Sequence, residues 1–131
     1  MPLEPSQPIG ISEETLAVVK DGMRAVVAGV GGTGWRARMR RVEVCGKTGS
    51  AQVVSREALQ ASPDDPSLLP HGWFVAFAPA DQPRVALSVL VEHGGSGGGA
   101  AAPVARAILA RFFGQEGPPA PPGPSATEAD D

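Results

Sequence analysis

Apolar and polar positions alternate along this chain in patterns that predict its elements. Leu16, Val19, Met23, Val26 and Val27 recur at helical spacing behind Ser12-Glu13-Glu14. That predicts a helix capped by Ser12, with its stripe in the core, ending near Ala28-Gly29. Residues 42–54 read as one long strand, with Val, Cys and Val on either side of a polar centre. Trp73, Val75 and Phe77 alternate with Phe74, Ala76 and Ala78, which predicts a central strand apolar on both faces. Residues 84–91 form the next strand. The link through residues 79–83 is too short for a crossover helix, so these two strands pair antiparallel. Val104, Ile108 and Phe112 repeat every four residues beside Ala107 and Leu109. They predict an amphipathic helix lying on the sheet, with Pro103 in its first turn and Gly114 as its stop.

The connections carry their own signals. Residues 1–10 hold three prolines and form an extended lead-in. Residues 29–34 are a glycine-rich loop, followed by Arg36, Arg38, Arg40 and Arg41, which read as a solvated edge or turn. Residues 55–70 are polar and turn-rich, with one short helical turn over residues 56–60. Asp64 and Asp65 lie between prolines there and read as surface turn residues, not an acid–base pair. His71 stands at a strand entrance and reads as a histidine satisfying loop backbone. The run Gly94-Gly95-Ser96-Gly97-Gly98-Gly99 is a connector, or makes room where the last strand turns onto its helix. Residues 115–131 are rich in Pro, Gly and Ala and are expected to be disordered.

The chemistry concentrates in Lys47-Thr48-Gly49-Ser50. On a strand, Thr48 and Ser50 share one face while Lys47 and Gly49 share the other. Gly49 leaves room for another backbone. Two hydroxyls and an ammonium beside a bare strand suit pairing with an extended peptide and gripping its terminal carboxylate. Gly46-Lys47-Thr48 also matches the tail of a phosphate-binding loop, but Arg41 stands where its first glycine belongs and a strand follows where a helix should. Gly29-Val30-Gly31-Gly32-Thr33-Gly34 matches G-x-G-x-x-G, yet a helix precedes it. Both are set aside as nucleotide sites, with nucleotide binding through Gly46-Lys47-Thr48 kept as the weakest alternative.

The Lys47-Thr48-Gly49 motif resembles the third motif of penicillin-binding transpeptidases and serine β-lactamases. The similarity extends through residues 46–52, 71–80 and 89–98, in matching order and spacing. Together these blocks resemble the C-terminal end of class B, cell-elongation penicillin-binding proteins, the penicillin-binding protein 2 type. The resemblance covers residues 11–114. It implies part of an α/β (α+β) transpeptidase fold: a helix, a three-stranded antiparallel sheet and a C-terminal helix. It further implies a D,D-transpeptidase that cross-links peptidoglycan stem peptides through an acyl-serine and binds β-lactams. Lys47 and Ser50 would be its catalytic residues, and Thr48, Gly49 and Ser50 would bind substrate, with no metal or cofactor. An envelope location on the periplasmic side of the inner membrane is also implied, with the other half of the domain upstream.

The remaining features narrow this. No serine in the 131 residues has a lysine three positions on, so the chain lacks the S-x-x-K nucleophile and is expected to be inactive alone. A non-catalytic module for extended peptides is the alternative. A net charge of −3 predicts no nucleic-acid partner. The single Cys45 reads as a buried strand residue. If strand partners lie outside this chain, an apolar face stays open and favours self-association.

Overall fold

The computed structural model describes residues 7–115 and 117. The expected lead-in and tail therefore lie mostly outside the described residues. Helix α1 (Glu13–Ala28) starts where the Ser12 hydroxyl accepts the Thr15 amide, with Glu13 and Glu14 in its first turn. Strands β1 (Cys45–Ala51), β2 (His71–Ala78) and β3 (Val85–Val91) form an antiparallel sheet in the order β1-β2-β3. A short helix, α2 (Arg56–Ala61), capped by Ser55, and a 3-10 turn (Pro66–Leu68) fill the β1–β2 connection. A π-helical turn (Gly97–Ala101) leads into α3 (Ala102–Phe112), with Pro103 in its first turn and Gly114 beyond its end at φ +64°.

The core lies between one face of the sheet and α3. Phe74, Ala76, Ala78 and Val89 face Ala101, Ala102, Ala105, Leu109 and Ala110 in it, and Val27 of α1 closes one side. Phe74, Leu109 and Val27 are the largest apolar side chains fully buried there.

Three expectations about the elements are corrected. The strand predicted over residues 42–54 is shorter, Cys45–Ala51. Its ladder ends at Ala51 because β2 begins opposite, at His71. At the other end Cys45 pairs with Phe77, and beyond Ala78 comes Pro79, which has no N–H to donate. The α1 stripe is buried only in its C-terminal half: Val27 is buried and Val26 half-buried, while Leu16 and Val19 are about half exposed (53% and 52%). The four-residue repeat of α3 faces outward. Val104, Ile108 and Phe112 are exposed, and the small Ala102 and Ala105 with Leu109 make the contact instead. Small residues let the helix axis approach the sheet, and Phe74 fills the space from below.

Strand β2 is central, but only one of its apolar faces is covered among the described residues. Trp73, Val75 and Leu90 are 39%, 40% and 43% exposed on the outer face. Arg38 departs from the solvated reading. Its guanidinium donates to the Val27 and Ala28 carbonyls and so caps the C-terminus of α1.

Candidate substrate cleft

Lys47, Thr48, Gly49 and Ser50 lie in the middle of β1, an edge strand whose other side has no strand partner among the described residues. Nothing there starts a helix, so Gly46-Lys47-Thr48 is not a phosphate loop. The Gly29–Gly34 stretch follows α1 and runs into a 3-10 turn (Trp35–Ala37), so it is not a strand–turn–helix dinucleotide site either.

An open cleft of about 800 Å³ runs along this edge. Thr48, Gly49 and Ser50 form its floor, Gly31 to Thr33 with Trp35 and Arg36 form one wall, and Ser96 to Gly99 form the other. The structure thus brings three of the four predicted residues together. Lys47 does not line the cleft. It lies on the opposite face of the strand, exposed, and its ammonium donates to the Thr48 carbonyl at 2.7 Å.

The hydroxyl of Thr48 is not free-standing. Its Oγ1 is 2.8 Å from Thr33 Oγ1, so one hydroxyl donates to the other. That fixes where the Thr48 oxygen points and leaves further hydrogen-bonding capacity toward the cleft. Arg36 stacks its guanidinium over the Trp35 ring at 4.6 Å and stays exposed at the rim.

The glycine wall sits directly on the strand backbones. A Cβ on Gly97 would collide with the Trp73 carbonyl oxygen and come within 2.6 Å of the Gly49 carbonyl oxygen. A close approach of backbone to Gly49 therefore occurs, but the residue that permits it is Gly97. A Cβ on Gly49 itself would meet only Trp73 Cβ, at 3.3 Å. Ser96 caps the turn by accepting the Gly99 amide. Making room for the wall is what the glycine run does.

Residues 71 and 93 meet at the far end of this wall. His71 Nδ1 accepts the His93 backbone N–H at 2.9 Å, which agrees with a histidine satisfying loop backbone. Asp65 caps the 3-10 turn and accepts from the Ser67 hydroxyl and amide; these bonds hold its carboxyl below the usual range. It is a turn residue, as the prolines suggested. Cys45 is fully buried, and burial pushes its thiol up, away from the nucleophilic thiolate. Among the described residues no group of three or more His, Cys, Asp or Glu could hold a metal, and no helix is long and apolar enough to cross a membrane.

Thr33, Trp35, Arg36 and Gly97 were not singled out by the sequence as site residues. The only signal for Thr33 was its place within the glycine-rich loop, because its partner Thr48 is distant in sequence and adjacent only in the fold.

Comparison with known proteins places this arrangement. Residues 4–110 match the family model described as penicillin binding protein transpeptidase domain. The chain is 37% identical over 103 residues to the peptidoglycan D,D-transpeptidase MrdA of Haemophilus influenzae, covering 76% of this chain and 16% of that protein. It is 42% identical over 74 residues to the peptidoglycan D,D-transpeptidase PbpA of Mycolicibacterium smegmatis, covering 53% of this chain and 13% of that one. A crystal structure of Pseudomonas aeruginosa PBP2 superposes with a TM-score of 0.65 at 32% identity, over 85% of this chain and 22% of that one. This chain thus spans under a quarter of each relative's length. On the match across most of its residues and on the shared fold, the chain belongs to the penicillin-binding transpeptidase family, of the class B, penicillin-binding protein 2 type.

Proposed function

We propose that this chain supplies one side of the active site of a peptidoglycan D,D-transpeptidase. The observation that carries the reading is the open polar edge of β1, where Thr48 and Ser50 face a cleft walled by backbone. A stem peptide ending in D-Ala-D-Ala can lie along that edge as an added strand. The Thr48 and Ser50 hydroxyls donate to its terminal carboxylate, with the Thr48 oxygen set by Thr33.

The reaction needs a serine nucleophile from an S-x-x-K motif, which the remainder of the domain would supply. Its Oγ attacks the penultimate D-Ala carbonyl and loses its proton to a base. The C–N bond to the terminal D-Ala breaks, and that amine leaves with a proton. An amine of a second stem then attacks the acyl-serine ester, forming the cross-link and releasing the serine. The Ser50 backbone N–H would be one donor to the oxyanion, worth about 3 kcal/mol of barrier in such sites. Lys47, exposed on the strand face away from Thr48 and Ser50, would swing around the open edge from the Thr48 carbonyl to a neighbouring motif's serine and there aid proton transfer. The place of action would be the periplasmic side of the inner membrane, where stem peptides are exposed. β-Lactams would acylate the same serine.

A chimaera tests this reading: the segment replaces the matching part of Haemophilus influenzae MrdA. The chimaera is expected to take a fluorescent penicillin covalently and to lose that capacity when boiled first. Lys47→Ala in the chimaera is expected to slow labelling by about a hundredfold, the scale on which general acid–base groups act. The chain alone is expected to remain unlabelled. Labelling of the chain alone, or full-rate labelling of a folded Lys47→Ala chimaera, contradicts the reading. Calorimetric binding of a D-Ala-D-Ala peptide by the chain alone, without labelling of the chimaera, would favour a peptide-binding module instead.

A further inference from the structure

The glycine wall is held at its far end by a pair of histidines. His93 sits just past β3 at φ +51°, a left-handed conformation that a non-glycine residue adopts at a cost. Something must hold it there. Its backbone N–H donates to His71 Nδ1 at 2.9 Å, its own Nδ1 lies 3.2 Å from the Leu69 carbonyl oxygen, and the rings meet edge-on with centroids 4.8 Å apart. Two residues on, the Gly95 N–H donates to the Pro70 carbonyl. Ser96 follows, and with it the wall of the cleft. His71 is opposite Ala51, the last residue of β1, so the pair ties the wall to the strand that carries the floor.

The partners fix the tautomers. A backbone N–H can only donate, so His71 Nδ1 must be the bare, accepting nitrogen, with its proton on Nε2. The Leu69 carbonyl can only accept, so His93 Nδ1 carries its proton. The two rings are therefore not equivalent toward acid. A proton added to His93 goes to Nε2 and leaves both bonds in place. A proton added to His71 goes to Nδ1 and aims N–H at N–H.

We propose that His71 is a positioning residue for the cleft: its unprotonated Nδ1 latches the His93 backbone and so seats the glycine wall on β1, and protonation of that nitrogen unseats it. The latch operates whatever ligand the cleft takes. Two carboxylates neighbour it. Asp65 is bonded to Ser67 and senses His93, and Glu92 is next to His93 in the chain. Neither has a described bond to His71, so neither replaces the lost acceptor. Imidazole is the side chain that gains a proton most readily in mild acid, so lowering the pH is the perturbation that probes the latch.

Hydrogen exchange on the chain tests the latch. Protection factors of the His93 and Gly95 amides are measured at pH 8 and pH 5, with Phe74 and Val89 as the reference for global unfolding. In the wild type, protection at His93 and Gly95 is expected to drop about tenfold at pH 5, the worth of one hydrogen bond, while the reference amides hold. In His71→Asn the amide oxygen stands where Nδ1 stood and does not titrate, so protection is expected to stay high at both pH values. In His71→Ala it is expected to be low at both. A wild-type protection that does not change with pH overturns the proposal. So does a His71→Asn variant that loses protection in parallel with the wild type. If His71→Ala unfolds, the comparison of wild type with His71→Asn still decides.

Discussion

The two faces of β2 are both apolar in sequence and opposite in situation. On one face Phe74 is fully buried under Ala101, Ala102, Ala105 and Leu109. On the other, its neighbours Trp73 and Val75 and the facing Leu90 stand 39–43% exposed. Alternation along β2 shows that both faces can be buried but not which one this chain covers itself. A strand apolar on both sides is built to sit between two layers. The described residues provide one.

The sharpest way to break that contrast is to truncate adjacent residues of one strand. Phe74→Ala empties a filled core site and is expected to cost about 3–5 kcal/mol, much of a small domain's total stability. Trp73→Ala, on the partly exposed face, is expected to cost about 1–2 kcal/mol, well below Phe74→Ala despite the larger side chain. Urea unfolding followed by circular dichroism checks both. Equal losses would mean that the outer face is covered in solution.

The cleft wall gives the next contrast. Gly97→Ala drives a Cβ into the Trp73 carbonyl and is expected to cost about 2 kcal/mol, with shifted amide resonances at Gly49 and Trp73. Gly49→Ala meets one side-chain carbon at 3.3 Å and is expected to cost less than half as much. The reverse order would place the close approach at the motif glycine instead.

Cys45 supplies a pH test of the buried layer. Burial raises its thiol pKa, so the folded state favours the protonated form. A group raised on folding stabilises below its unfolded value and loses that contribution as pH climbs through the folded one. Stability is therefore expected to be level up to about pH 8.5 and to fall above it, and Cys45→Ala is expected to flatten that decline. Thermal unfolding from pH 7 to pH 10 measures it. The smallest effect belongs to the bare face. Leu90→Thr is expected to move stability by no more than about 0.5 kcal/mol while lowering apolar-dye binding and any self-association seen by light scattering.

Much of this was legible in the chain, for reasons that can be named. Ser12 with Glu13 and Glu14 announced α1, and Gly114 ended α3, because caps are local chemistry. The antiparallel pairing of β2 with β3 followed from the short link at residues 79–83. The outward turn of Val104, Ile108 and Phe112 was not legible, since periodicity gives a stripe and not the side that meets the sheet. Strand alternation puts Thr48 and Ser50 on the cleft face, and Gly49 between them meets the glycine wall through its backbone. Thr33 was hidden because its hydroxyl bond to Thr48 is made by a loop folding back, and Gly97 because its role is a collision avoided with another strand.

A nitrogen-15 NMR titration of the chain tests most directly whether the polar edge receives a peptide carboxylate. The ligands are an acetylated peptide ending in D-Ala-D-Ala and the same peptide as its C-terminal amide. The acid form is expected to shift the amides of Thr48, Gly49, Ser50 and Gly97 to Gly99 and to do so far less as the amide. Equal shifts from both peptides, or shifts gathered around Trp73, Val75 and Leu90, would contradict it.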